Sequence, residues 1–268
     1  MRTLYLLILA TFPLSFAYGQ TAEEIISKTE SAYRGLSNYA DQGTYIRSSG
    51  NFPKDDTSTY FLAIDRKGNV NQWLHKGLPG QLSGARYVKT DTESMGTYTR
   101  IGSQDASFQC NMSEAGARMM GTGGDVFYVI GSLFYEGYLT GSPTDSSVLR
   151  YYDTVGKLPD TMINGAKCYV IKTRKTTVTT QSYADRANFV HDSIFHLLEL
   201  PVEQRGGPRA EPGAKSTERK FFIRKSDFVI VRMENLFMKE DTDIVKGHSI
   251  LSMNPKYNVQ DIAKYLKE

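Results

Sequence analysis

The chain has 268 residues, 40% of them hydrophobic, with 32 basic and 29 acidic side chains and a net charge of +3. It is long enough to bury a sizeable core, and acids and bases are interspersed rather than blocked, so charge gives no footprint for nucleic acid. The 17 tyrosines and 13 phenylalanines suit pleated surfaces and apolar cavity walls alike.

The first residues read as a secretory signal. Arg2 is a short basic region, Leu4 to Phe16 an apolar stretch, and Ala17-Tyr18-Gly19 supplies small residues before a cut that leaves Gln20 first. Thr11 and Pro13 interrupt the apolar run, which falls short of the roughly 20 residues of a membrane span. Residues 1–19 are therefore expected to be a signal peptide and 20–268 one domain. No cysteine lies near the cut, which excludes lipid attachment at a lipobox. The mature chain is expected to be periplasmic or secreted, with no transmembrane segment.

Thr21-Ala22-Glu23-Glu24 has the form of a capping box and predicts a helix. Ala22, Ile25, Ile26, Thr29, Ala32, Tyr33 and Leu36 recur at helical spacing along it and form one stripe to be buried. Tyr39-x-Asp41-x-Gly43 then opens a strand. Successive strands follow from Thr44 to about Arg100, among them Thr59 to Arg66, Val70 to His75 and Tyr98 to Ile101. Tyr60, Leu62 and Ile64 alternate with Phe61 and Ala63, so both faces of that strand are expected to be covered.

The pattern breaks between Cys110 and Leu139. Ser113 to Met120 reads as a short helix, and a second begins at Asp125, carrying Val126, Phe127, Ile130, Leu133, Phe134 and Tyr138 on one face with almost no charge. It is too short to span a membrane and is expected to pack against the sheet, as an ordinary core helix or as a plug over an apolar cavity. Met119 and Met120 would add adaptable surface beside it. Cys110 and Cys168 are as consistent with two buried thiols as with one disulfide.

A second β-rich half starts near Val148, with Asn164-Gly165 as a two-residue hairpin signal before Cys168 to Ile171. Asn188 to Leu198 reads as a short helix. Gln204 to Glu218, rich in glycine, proline and charge, reads as a mobile loop. Lys220 to Arg224 and Phe228 to Arg232 predict an antiparallel hairpin around Lys225-Ser226-Asp227. A strand from Gly247 to Met253 leads to Asn254-Pro255 and a terminal helix from Val259 to Leu266.

The order of these pieces resembles the LolA-like superfamily, the periplasmic carriers and sorters of outer-membrane lipoproteins. The resemblance rests on the amino-terminal helix followed by Tyr39-x-Asp41-x-Gly43, on the hairpin Phe221-Phe222-Ile223-Arg224-Lys225 with Phe228-Val229-Ile230-Val231-Arg232, and on Asn254-Pro255. It covers the two ends, about a third of the chain. It implies an α+β fold, a strongly curved antiparallel sheet forming an unclosed half-barrel, with an amino-terminal helix and further helices filling the concave face. It also implies a polar latch that closes the barrel, whose arginine is not placed by position in this chain. The extra material from Ser182 to Glu218 departs from the family pattern.

No catalytic constellation competes with that reading. His191 and His196 are five apart, which separates them around a helix, whereas a zinc pair would use three or four. Glu240, Asp241 and Asp243 lack the ligand spacing of a calcium loop. No nucleophile elbow or dinucleotide fingerprint occurs, and Gly121-Thr122-Gly123-Gly124 lacks the lysine of a phosphate-binding loop. The expected function is thus non-catalytic, without cofactor or metal: binding or carriage of a lipid, a lipoprotein acyl chain or another apolar ligand. Trp73, Met119, Met120, Phe127, Ile130, Phe134 and Tyr138 are the candidate apolar lining. The alternative is an envelope interaction or stress-sensor module whose concavity is filled by its own helices and whose loop, Gln204 to Glu218, meets a protein partner.

Overall fold

The computed structural model describes residues 20–49, 56–76, 83–101, 106–112, 114–115, 125–135, 148–150, 152–182, 184–186, 188–189, 212–238 and 245–267. In chain order these form α1 (Ala22–Gly35), β1 (Asn38–Ser49), β2 (Asp56–Asp65), β3 (Val70–Lys76), β4 (Ser83–Lys89), β5 (Gly96–Ile101), β6 (Ala106–Cys110) and α2 (Asp125–Phe134). A 3-10 turn (Val148–Arg150) leads to β7 (Thr154–Ile163), β8 (Ala166–Thr179), β9 (Gly213–Arg224), β10 (Ile230–Met238), β11 (Val245–Ser252), β12 (Lys256–Tyr257) and α3 (Ile262–Lys267).

The described strands make one antiparallel sheet of order β6-β5-β4-β3-β2-β1-β11-β10-β9-β8-β7, with β12 also on β1. The first half runs outward from the centre to the β6 edge. The second starts at the opposite edge, β7, and returns to the centre, so β1 and β11 join two meanders. The edges do not meet, and the sheet is an unclosed half-barrel. Because β6 and β7 are the two edges, the chain between them must travel from one side of the sheet to the other. α2, which lies between them in the chain, packs on the concave face in the same core cluster as α1 and the inward-facing strand residues.

Thr21 caps α1 as its sequence predicts. The Glu24 amide donates to Thr21 Oγ1 at 3.2 Å, and the Thr21 amide to Glu24 Oε2 at 3.0 Å. Ile25, Ile26 and Tyr33 turn the stripe onto the concave face, together with Tyr60, Leu62 and Ile64 of β2. Phe61 and Ala63 point the other way and are covered by Ile262, Tyr265 and Leu266 at and around α3. Both faces of β2 are therefore buried, by a helix on each side. The β7–β8 hairpin turns at Asn164 (φ 48°) and Gly165 (φ 79°), the left-handed pair that a two-residue loop needs.

Three expectations are corrected. The stretch read as a mobile loop is strand from Gly213 onward, and β9 pairs with β8 from Gly213 opposite Thr179 to Arg224 opposite Cys168. Its lack of apolar period misled because polar cross-strand pairs stand in for apolar ones: the Thr176 and Ser216 hydroxyls meet at 3.1 Å, and buried Glu218 takes Lys172 at 2.9 Å. Residues 204–211 lie outside the described residues. Second, Phe228 belongs to the turn, at φ 59°, and β10 begins at Ile230. The Phe228 ring is held there by stacking on Tyr169 at 5.9 Å. Third, the last helix begins at Ile262, because both backbone groups of Val259 are taken by the Asn38 side chain: the Val259 amide donates to Oδ1 at 2.7 Å, and Nδ2 donates to the Val259 carbonyl at 3.0 Å. Most of the helices expected at Ser113 to Met120 and at Asn188 to Leu198 falls outside the described residues.

Candidate functional site

The concave face is occupied by α2. Its sequence, DVFYVIGSLF, has no charge after its first residue, and Val126, Phe127, Val129, Ile130, Leu133 and Phe134 are each at most 2% exposed. A helix apolar on nearly every side is stable in water only when enclosed. Phe127 meets the Tyr60 ring edge-on at 6.4 Å, and Phe134 meets Tyr135 at 4.9 Å. Unlike a strand, α2 shares no backbone ladder with the sheet, so side-chain contacts hold it there.

Arg66, in the turn after β2, fastens the ends of both helices. Its Nε donates to the Leu36 carbonyl at 2.9 Å, and Nη2 donates to those of Tyr33 and Arg34 at 2.8 and 2.7 Å. Nη1 donates to the Phe134 carbonyl, and the guanidinium lies 4.0 Å from the Phe134 ring centre. The carbonyls at a helix carboxyl end have no intrahelical partners and carry its partial negative charge, which makes one guanidinium an efficient cap for two helices. Tyr135 adds a second tie, its hydroxyl donating to the Asp65 carbonyl at 2.5 Å.

Beneath the helices, Asp41 is 2% exposed on the concave side of β1. It accepts from the Tyr60 hydroxyl at 2.7 Å, the Tyr39 hydroxyl at 3.2 Å and the Asn254 amide at 2.7 Å. Burial pushes its carboxyl up to about 6 against the lowering effect of these bonds, and burial likewise pushes both tyrosines well above the ordinary phenol range. Gly43 completes the motif for a steric reason: a Cβ there would sit 2.0 Å from the Ser252 carbonyl oxygen and 2.6 Å from the Tyr60 hydroxyl. Tyr39-x-Asp41-x-Gly43 and Asn254-Pro255, the two ends of the chain, are thus one hydrogen-bonded unit.

The candidate lining divides. Phe127, Ile130 and Phe134 come together in the concave core, whereas Met119, Met120 and Tyr138 lie outside the described residues. Trp73 is on the opposite face, stacked on Phe61 at 5.7 Å and edge-on to His75 at 4.5 Å. Strand alternation sends Leu74 inward and Trp73 outward, so Trp73 is removed from the concave lining. Cys110 and Cys168 are both buried and free. One lies in the concave core and the other under the outer face with Val170, Phe222 and Val231, so the sheet separates them and no disulfide links them.

Sequence reasoning missed Arg66, which nothing in Asp65-Arg66-Lys67-Gly68 distinguishes from an ordinary turn. It recognised Asp41 only as part of a motif. Among the described residues, no group of three or more His, Cys, Asp or Glu could hold a metal ion, and no helix is long and apolar enough to cross a membrane.

No family model and no curated protein matches the chain. Among solved structures, its fold is similar to a chain of the Pseudomonas aeruginosa MucA/MucB complex, at 11% identity and TM-score 0.41, over 90% of this chain and 59% of that one. It is similar to LprF from Mycobacterium bovis at 11% identity and TM-score 0.43, over 89% and 93% of the two chains. A LolA superfamily protein from Nitrosomonas europaea is similar at 10% identity and TM-score 0.33, over 92% and 98%. The chain thus spans 59% of the MucA/MucB chain it matches, and each of these is a likeness of fold alone.

Proposed function

We propose that this chain is a non-catalytic binder and carrier of a lipid, a lipoprotein acyl chain or another apolar ligand, working in the periplasm or outside the cell. One observation carries the reading: α2, an almost uncharged helix, fills the concavity without backbone pairing to the sheet, and its far end is fastened by the Arg66 side chain. Such a helix can leave, and an acyl chain presents the same kind of surface to the wall it vacates. At about 0.8 kcal/mol per buried methylene, one long chain contributes on the order of 10 kcal/mol, from which ordering takes back several. In this reading Phe127, Ile130 and Phe134 are the surface that ligand replaces or shares, and Arg66 is the latch whose release opens the site.

The test is mass spectrometry of material extracted from protein purified without detergent from its own host. A stoichiometric lipid or lipopeptide supports carriage and identifies the cargo class. A second reading, an envelope interaction or sensor module without transported lipid, draws on the near-complete burial of Phe127, Ile130 and Phe134 by the protein itself. Protein that is folded, monomeric and free of lipid would favour it.

A further inference from the structure

The polar centre under the two helices is built in an unusual way. Asp41 faces Tyr39 from its own strand, Tyr60 from β2, and the Asn254 amide from the connection between β11 and β12. Tyr33 of α1 stands behind Tyr39, ring centres 5.7 Å apart, its own hydroxyl accepting from the Ile230 amide at 3.2 Å. Among these groups there is no cation. Lys256 lines the same small pocket as Asp41, but its ammonium lies over the Tyr265 ring at 5.6 Å. The carboxyl therefore relies on neutral donors, and the two tyrosines that supply them are those on which the helices rest: Tyr39 touches Tyr33 of α1, and Tyr60 touches Phe127 of α2.

The cluster can also accept a proton without breaking. Tyr60 Oη lies 3.4 Å from the Ser252 carbonyl as well as 2.7 Å from Asp41. When Asp41 takes a proton, its O–H can donate to Tyr60 Oη while the Tyr60 hydroxyl turns to Ser252. The neutral form is then satisfied and uncharged, whereas the ionised form is a buried charge with no counter-ion among the described residues.

We infer that Asp41 is a proton-operated fastener for the helices in the concavity: protonated, it holds α1 and α2 docked, and ionised, it favours their release. The inference rests on the reading that α2 is displaceable and adds a regulation of the same site. Its sign follows from the raised affinity of the folded carboxyl for a proton. Docking is firmest below the ordinary carboxylate range, near 3.8, and weakens as pH rises through about 6.

Hydrogen exchange of the intact, lipid-free protein at pH 5 and 7.5, corrected for intrinsic rates, tests it. Protection of the α2 amides should fall about tenfold across that interval, while β8 and β9 amides change little. In Asp41→Asn the fall should vanish. Tyr60→Phe keeps the contact with Phe127 and removes the hydroxyl as a partner of both forms; because the bond to the ionised carboxylate is charge-assisted and the stronger of the two, the transition should move to higher pH. Since a merely structural tyrosine would not shift that midpoint, this variant also decides the case should Asp41→Asn fail to fold. Local opening of α2 with no pH dependence, or a dependence that survives in Asp41→Asn or does not move in Tyr60→Phe, overturns the switch and leaves carriage standing. If α2 opens only together with β8 and β9 at every pH, both readings fall.

Discussion

Arg66 and Phe134 meet twice, the guanidinium donating to the Phe134 carbonyl and lying 4.0 Å from the ring centre. The same side chain donates to three carbonyls at the end of α1. Arg66→Met should keep some packing and lose every one of these bonds. Since solvent reaches part of the side chain, a modest loss of about 2 kcal/mol in global stability is expected. The larger effect should be local: α2 amides exchanging at least tenfold faster, and faster uptake of a fluorescent fatty acid. Arg66→Lys retains the charge without the planar fork and should fall between. Unchanged exchange in α2 would show that the arginine fastens nothing.

Gly43 stands where β1 passes Ser252 and Tyr60 too closely for any side chain. Gly43→Ala should destabilise by about 3 kcal/mol, because one of the clashing atoms is backbone and the other is the Tyr60 hydroxyl that donates to Asp41. A denaturant midpoint shifted without a change of slope would establish this as a loss of stability rather than a change in the unfolded state.

How far the chain could be read without coordinates follows from the range of the interactions. The cap at Thr21, the alternation of Tyr60 to Ile64 and the Asn164-Gly165 hairpin depend on residues within a few positions of one another, and their chemistry is visible locally. The contacts that make the candidate site are not local: Asp41 meets Asn254 across 213 positions, and Arg66 meets Phe134 across 68. Nothing in a stretch of sequence distinguishes Arg66 from Lys67. Trp73 misled because aromatic character says nothing about which face of a strand it takes. β9 misled because Glu218 and Ser216 find partners only on the neighbouring strand, β8.

Arg150 ties the 3-10 turn to α1 through Glu30, Ser27 and Glu23. Glu30 is 9% exposed at its side chain and Glu23 is 65% exposed, which sets the ranking. Arg150→Met should destabilise by about 2 kcal/mol by removing the guanidinium from a buried carboxylate, and the double variant with Glu30→Gln should recover at least half of it. Glu23→Gln should change stability by less than about 0.5 kcal/mol. Equal effects at Glu23 and Glu30 would contradict the ranking by burial.

Ile130 and Phe134 separate a displaceable plug from an ordinary core helix. Both are 0% exposed, so aspartate at either position places a charge in the apolar interior as long as α2 stays docked. If α2 belongs to the cooperative core, Ile130→Asp/Phe134→Asp unfolds the whole protein, and strand-dominated circular dichroism is lost with it. If α2 docks as a separate unit, the charged helix leaves the concavity, the sheet keeps its spectrum and midpoint, and the exposed wall binds an apolar dye. Lipid retention should then be lost if α2 also covers the ligand, whereas the milder Ile130→Ala should retain the lipid at a cost of about 2–5 kcal/mol. An intact sheet that binds neither dye nor lipid would mean that ligand does not occupy the space α2 leaves.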